Sequence, residues 1–378
     1  MPTATRIVAA ALPPNLVWRS YLGGSVLRRF RGLPDVGDNH FPEDWPASTV
    51  RARNGAHAQH PQEGLSRVAG PGEGRTLADL LAEEPEVWLG HRQAQLPPEQ
   101  RPGVLWKLLD SSVRLQVQAH PDAQFSRRRL NSNAGKTECW HILGTRGPAH
   151  VYLGFQHPPT RQGWATMIRE QRVDDMLACF EPIPVQPGEC YVVPAGTPHA
   201  IGAGVFMMEL QEPTDWVVRC ETVNAGLVLP PEACFMGLDL EACLDVFDYR
   251  ARSVQDVRNQ LLQRPRTIGS TGKTCEEELI GAEYHEYFRL HRLRGRGETS
   301  WPGNELMLLL ALKGGGELSA GAEVHAVRAG ETWLLPGAAP EWEWRGGTGD
   351  WECLLARLPV AAGTAAARRN GGRAAAQI

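Results

Sequence analysis

The sequence predicts a mainly β protein of two related modules with helical insertions, and three observations carry that prediction. First, 40 Gly and 29 Pro are scattered along 378 residues rather than gathered in one tract, against a usual combined share of about 12%. Second, several stretches alternate apolar and polar residues with period two between these punctuation points. Third, one strand-turn-strand pattern occurs twice. At 42% hydrophobic and 22% charged the chain suits a soluble globular protein, and its length suits two or three domains. Lys plus Arg (39) against Asp plus Glu (43) leave a net charge of −4. No global positive field exists for a nucleic acid or an anionic membrane, so an anionic ligand must be small and met locally. Eight cysteines without a CxxC pair point to a reduced, cytoplasmic setting. The apolar run Ile7 to Leu12 is too short for the core of a signal peptide, and no stretch approaches ~20 apolar residues.

Residues 1–75 read as irregular, with short strands near Val8 and Leu16. At TLADLLAEEPEVWLG, Thr76 caps a short helix whose Leu77, Leu80 and Leu81 share a face, and Pro85 and Gly90 punctuate its end. In VLWKLLDSSVRLQVQAHP, Leu115, Val117 and Ala119 alternate with Arg114, Gln116, Gln118 and His120, which places Gln118 and His120 on one face of a strand. Helical spacing returns over 160–180 through Met167, Ile168, Val173, Met176 and Leu177. Strands follow at VYL (151), YVV (191) and VFMMEL (205). A broken helical stretch covers Pro231 to about Gln263, strands resume after Glu278, and the Ala/Arg/Gly tail from Ala361 reads as unstructured.

In GECYVVPAGTPHAIG, Gly188, Pro194, Gly196 and His199 stand at offsets of six, two and three. In GETWLLPGAAPEWEW the same offsets fall on Gly330, Pro336, Ala338 and Glu341, displaced by 142 residues, with Glu189/Glu331 and Pro198/Pro340 as further identities. The grid resembles the second motif of the cupin superfamily, a small jelly-roll β-barrel whose histidine points inward and binds a metal. That resemblance implies two cupin-like barrels, with Glu341 in place of the histidine in the second. No His-x-His precedes Glu341, and His291 and His325 are isolated there, so the second barrel is expected to lack the metal site. The expected organisation is a catalytic barrel over 1–228 with helical insertions at about 76–100 and 160–180, a helical connector over 229–264, a degenerate barrel over 265–360 and a tail over 361–378.

A barrel metal site needs ligands that converge from different strands. Gln118 and His120, with Glu138 from the following strand ECWHIL, join His199 in an N2O2 set suited to zinc with one open position. On spacing alone, His120 before Pro121 serves equally well as a turn residue and Glu138 as a solvated charge. Four segments taken together resemble the class I mannose-6-phosphate isomerases, zinc-dependent cupin-type enzymes: LLDSSVRLQVQAHPD (108–122), GKTECWHIL (135–143), PGECYVVPAGTPHAI (187–201) and MELQEPTDWVVR (208–219). VWRSYLGG (17–24) and FPEDW (41–45) are weaker echoes of the family's start. The likeness spans at least 105–220 and places the zinc ligands of the family on Gln118, His120, Glu138 and His199, one zinc per chain.

The resemblance also implies that Arg219 is the active-site arginine and Lys136 an active-site lysine. It makes Glu209 a carboxylate near the sugar and the leading candidate for the general base, with Lys136 or a metal-bound water as alternatives. Asp215 matches an acidic position able to orient Arg219. Lys107 matches a family lysine, although a lysine at a barrel rim is more often solvated. One departure concerns the lysine that many members carry shortly after the arginine: in RCETVNAGLVLPPEAC none occurs before Lys273. A phosphate would then fall to Lys136, Arg219 or the run Arg127 to Arg129. The implied activity is a cytoplasmic isomerase that interconverts mannose 6-phosphate and fructose 6-phosphate by proton transfer through an enediolate. A related isomerase for another, non-phosphorylated sugar, or a non-catalytic cupin that binds a sugar, are the alternatives.

Overall fold

A computed structural model of the chain describes residues 9–54, 59–69, 73–101 and 103–359. The strand expected near Val8 and the tail from Ala361 lie outside these residues. Two compact units result, one built from Leu12–Asp79 and Gly103–Gln263, the other from the described residues within 1–11, 80–102 and 264–378.

The first unit is a two-sheet sandwich. Its six-stranded sheet runs in the order Leu16–Val17, Glu43–Ser48, Leu105–Asp110, Val205–Gln211, Glu138–Thr145, Cys190–Val193. Its five-stranded sheet runs Val218–Arg219, Gln118–Ala119, His199–Ile201, His150–Leu153, Ile183–Pro184. Between them Leu109, Trp140, Ile142, Val151, Leu153, Ile201 and Met207 form a buried core. Strand parity sorts the short sheet: Ile201 points into this core, whereas Ala119 and Ala200 face a second cluster with Phe155, Trp164, Ile168 and Met176. That second cluster carries the helices Arg161–Arg169 and Val173–Ala178. The break between them falls at Gln171, left-handed at φ 52°, and Thr160 caps the first by accepting from Gly163 N. The segment expected as one helical stretch from Pro231 divides into short helices at Pro231–Cys234, Leu240–Cys243 and Val254–Gln260, the last with a Ser253/Asp256 capping box.

The strand expected over 114–120 is shorter. Only Gln118–Ala119 pair as a strand, because Val117 N donates to the Glu221 carboxylate at 2.7 Å rather than to a neighbouring strand. Arg114 grips the same carboxylate with two bonds, at 2.6 and 2.7 Å.

The second unit also has two sheets, one of seven strands and one of four. Trp301, Met307, Leu309, Leu318, Trp342, Trp344, Trp351 and Leu355 fill its core. Its Thr332–Leu335, turn, Glu341–Gly346 sequence matches Cys190–Val193, turn, His199–Ile201 of the first unit. Gly330 and Gly188 stand at equivalent left-handed positions, φ 85° and 92°. The Thr76-capped helix Leu77–Glu83 forms as expected, with Asp79 N donating to Thr76 Oγ1 at 3.1 Å. Leu80–Pro102, however, groups with the second unit rather than the first. The reason is non-local: Gly337 N and Ala338 N donate to the Trp88 and Val87 carbonyls at 2.9 and 3.0 Å. Residues 229–263 group with the first unit. Among the described residues no helix is long and apolar enough to cross a membrane.

Candidate active site and metal centre

Register builds the site. His199 is the partner of Gln118, and Gln118 on its other side is the partner of Arg219. Directly opposed residues share a face, so one row across three short strands carries His199, Gln118 and Arg219. The facing sheet supplies a second row: Glu209 is opposed by Lys107 on one side and Trp140 on the other, and Gln211 by Glu138. The turn that delivers His199 is pinned by Gly196, whose N donates to the His120 carbonyl at 2.8 Å. Gly196 adopts φ 86°, a conformation costly for a residue with a Cβ. The approach to Glu138 is clipped by Glu212, whose carboxylate accepts from Gly135 N at 3.2 Å and Thr137 N at 2.8 Å.

His120, Glu138 and His199 converge with their donor atoms within 4.8 Å of one another, and all three are buried. His120 Nδ1 is 2.8 Å from the Trp216 carbonyl and His199 Nδ1 is 2.8 Å from the Thr197 carbonyl. A carbonyl only accepts, so each Nδ1 carries the proton and each Nε2 presents a lone pair to the cluster. Burial pushes both imidazoles toward the neutral form, His199 down to about 3 with the neighbouring His120 contributing. Glu138 stands well below the usual carboxylate range: burial pushes it up, but His120 and Lys136 outweigh burial. Its Oε1 lies 3.1 Å from His120 Nε2 and its Oε2 3.9 Å from His199 Nε2, and Trp140 Nε1 steadies Oε2 at 3.0 Å. The Gln118 amide reaches His199 Nε2 at 3.2 Å, and turning the amide over brings its oxygen to the same place. Two imidazole lone pairs, one carboxylate and one carboxamide form a set that demands a cation. The Lys136 ammonium meets part of that demand, touching Glu138 and lying 3.1 Å from His120 Nε2. The donor set fits Zn2+.

Beside the cluster lies a small cleft. The expected residues Lys136, Glu209, Asp215 and Arg219 all line it, with Gln118, His120 and Glu138. Lys107 is buried rather than a solvated rim residue, because Glu209 opposes it across the strand pair: its ammonium is 2.9 Å from Glu209 and 3.9 Å from Glu43. Lys136 is 3.7 Å from the same Glu209 oxygen. Burial, with nearby Glu138, pushes the Glu209 carboxyl up to about 8 against the pull of both lysines. Arg219 donates to the Ala233 carbonyl at 2.8 Å.

Asp215 does not hydrogen-bond Arg219 as expected. It accepts from Arg19 at 3.1 and 3.3 Å and from Arg53 N at 2.7 Å, because Arg53 and Arg19, which follows the strand Leu16–Val17, close over it. Arg19 and Glu43, from VWRSYLGG and FPEDW, also line the cleft, beyond the residues that the sequence predicts. Glu43 accepts from Arg19 at 2.9 Å, Tyr21 at 2.7 Å and Trp45 at 2.7 Å. Burial pushes Glu43 and Asp215 up, yet Arg19, helped by Lys107, holds each at about 2. A carboxylate depressed in the folded state adds stability above its unfolded pKa and loses it as the pH falls toward the folded value. Arg19→Ala strands two buried carboxylates and is expected to cost about 3–5 kcal/mol near neutral pH. Its acid transition, followed by circular dichroism between about pH 4.5 and pH 2, should move to higher pH; an unmoved transition would contradict this assignment.

The arginines Arg127 to Arg129 lie exposed at the end of the helix Ala123–Arg129 and do not line the cleft. In the second unit, Glu341 is exposed, His291 pairs with Glu276 at 2.7 Å, and the His325 ring packs on Trp333 at 5.0 Å.

No family model matches the chain. It is 28% identical over 278 residues to the mannose-6-phosphate isomerase ManA of Bacillus subtilis, an alignment covering 72% of this chain and 81% of that one. It is 26% identical over 326 residues to the mannose-6-phosphate isomerase of Streptococcus mutans, covering 86% and 91%. Among solved structures, the mannose 6-phosphate isomerase of Bacillus subtilis superposes with a TM-score of 0.72 at 22% identity, over 93% of this chain and all of that one. A mannose 6-phosphate isomerase bound with zinc and yttrium superposes with a TM-score of 0.67 at 15% identity, again over 93% and 100%. The inward row of metal donors and these relatives converge: the chain is similar in sequence to mannose-6-phosphate isomerases and shares their fold.

Proposed function

We propose that the chain is a zinc-dependent aldose–ketose isomerase that interconverts mannose 6-phosphate and fructose 6-phosphate. The observation that carries this reading is the placement of the buried carboxylate Glu209 between two lysines and beside a cation-seeking His120/Glu138/His199 cluster. A binding module needs no such carboxylate. Gln118, His120, Glu138 and His199 would hold Zn2+, which supplies Lewis-acid polarisation of the sugar oxygens when bound.

The rest of the chemistry falls to the chain's own groups. Glu209 removes the proton from C2 of the open-chain aldose; the C–H pair forms the C1=C2 bond and the carbonyl pair moves onto O1. Lys136 and Arg219 face the cleft where that charge develops and stabilise it. Glu209 then returns its proton to C1 as the O2 proton passes to O1, which leaves a ketose and restores the carboxylate. Lys107 holds Glu209 in position through the 2.9 Å ion pair. Asp215 positions Arg19 rather than Arg219. The first unit carries the catalysis in this reading. Eight cysteines, all unpaired, favour the reducing cytoplasm.

A coupled isomerase assay with mannose 6-phosphate, fructose 6-phosphate and the free sugars tests the proposal. Turnover of the phosphorylated pair is expected. Turnover of free mannose alone would keep the chemistry and overturn the substrate, and zinc binding with no turnover on any sugar would leave a binding protein.

A further inference from the structure

In this reading the substrate brings a phosphate, yet three of the cleft's cations are already engaged. Lys107 is paired with Glu209, Lys136 touches Glu138, and Arg19 lies between Glu43 and Asp215. A second cavity adjoins the first and shares Arg19, Ser20 and Arg219 with it. Its walls are largely apolar, including Trp18, Leu229 and Pro230, and Arg53 also lines it.

Arg53 is held without a direct ion pair, Asp215 acting on its charge only through space. Its guanidinium lies 3.4 Å from the centroid of the Trp216 ring, and its backbone N donates to Asp215 at 2.7 Å. Among the described residues, neither Arg53 nor Arg219 has a carboxylate paired to its guanidinium; Arg219 meets only the Ala233 carbonyl. The positive charge of this chamber therefore rests on these two side chains. Apolar walls lower the local dielectric and strengthen a guanidinium–phosphate contact. Stacking on Trp216 fixes the guanidinium plane, so its fork of N–H donors is set for two phosphate oxygens. A hexose 6-phosphate carries its reacting carbons and its phosphate at opposite ends, which two adjoining cavities accommodate.

We propose that Arg53 binds the phosphate monoester of the substrate in this second chamber, so that Arg53 selects phosphorylated over free sugars. The inference rests on the isomerase reading and is tested separately from it. Wild type, Arg53→Ala, Arg53→Lys and, as a control for net charge, Arg127→Ala are titrated with inorganic phosphate by calorimetry and assayed on phosphorylated and free sugar. Arg53→Ala should weaken phosphate binding by about 10-fold or more and lower the ratio of kcat/KM for phosphorylated over free sugar by a similar factor, with wild-type zinc content. Arg53→Lys, a point charge without the fork, should recover only part, and Arg127→Ala should match wild type. Phosphate binding by Arg53→Ala at wild-type strength overturns the subsite even if the protein isomerises mannose 6-phosphate. Arg53-dependent phosphate binding in a chain that turns over no sugar keeps the subsite and overturns the isomerase reading instead.

Discussion

His199→Ala is expected to abolish both zinc retention and isomerase activity while the first unit stays folded. His199 is fully buried, its Nδ1 proton is committed to the Thr197 carbonyl, and its Nε2 faces Glu138 and Gln118. Removal of one donor leaves three, one of them the weak carboxamide of Gln118. Loss of an outer-shell partner alone lowers metal affinity about 10–100-fold, so loss of a direct ligand should exceed that range. The alanine leaves a cavity beside Trp140, whose ring meets His199 edge-on at 5.3 Å. Gln118 also loses the partner of its amide. His199→Gln, closer in volume and polarity, separates the two effects: it should fold with near-normal melting behaviour and still bind zinc far more weakly. Metal analysis of the purified variants is the readout, and a His199→Ala protein that keeps stoichiometric zinc would remove His199 from the ligand set.

Glu209→Gln is expected to keep zinc and lose about 10²–10⁴-fold in turnover, the range for removal of a general base. The substitution preserves shape and removes the ability to take a proton. Glu209 is 2% exposed, opposed by Lys107 and within 3.7 Å of Lys136. It neighbours the ligand Glu138 but supplies no donor to the cluster, so zinc content should not fall with activity. The glutamine leaves the Lys107 ammonium without its 2.9 Å partner, and Glu43 at 3.9 Å remains to compensate. A double variant with Lys107→Met distinguishes lost ion pairing from lost proton transfer. If ion pairing were the cause, the double variant would regain turnover; if proton transfer is the cause, it stays inactive. Near-normal turnover of Glu209→Gln would move the base to another group.

Spacing alone leaves His120 a turn residue and Glu138 a solvated charge; the resemblance singles out the four candidate ligands, of which His120, Glu138 and His199 lie with donor atoms within 4.8 Å of one another. Gln118 and His120 flank one strand residue, and Glu138 opens an apolar strand. His199 follows a Pro-Ala-Gly-Thr-Pro turn in which Gly196 must be left-handed. The repeated grid was legible because Gly188 and Gly330 both start a turn that needs positive φ. What sequence did not reveal depends on partners far along the chain. Lys107 looked like a solvated rim residue, and only the register with Glu209, about a hundred residues away, buries it. Asp215 looked like a partner for nearby Arg219, but Arg19 and the Arg53 backbone reach it first. The strand expected through Arg114 stops short because Glu221 takes Val117 N. The helices after Leu80 look like an insertion in the first barrel until the Gly337 and Ala338 amides claim the Val87 and Trp88 carbonyls. Period-two patterning predicts a strand; it does not name the strand beside it.

Whether the His120/Glu138/His199 cluster, completed by Gln118, makes a sugar isomerase is open to a direct test. The deciding measurement is mannose 6-phosphate isomerisation by chelator-treated protein during stepwise addition of Zn2+. Activity should start near zero, rise in proportion to added metal and level off at one zinc per chain. Full activity before any zinc is added, or one bound zinc per chain with no isomerisation, would contradict the isomerase reading.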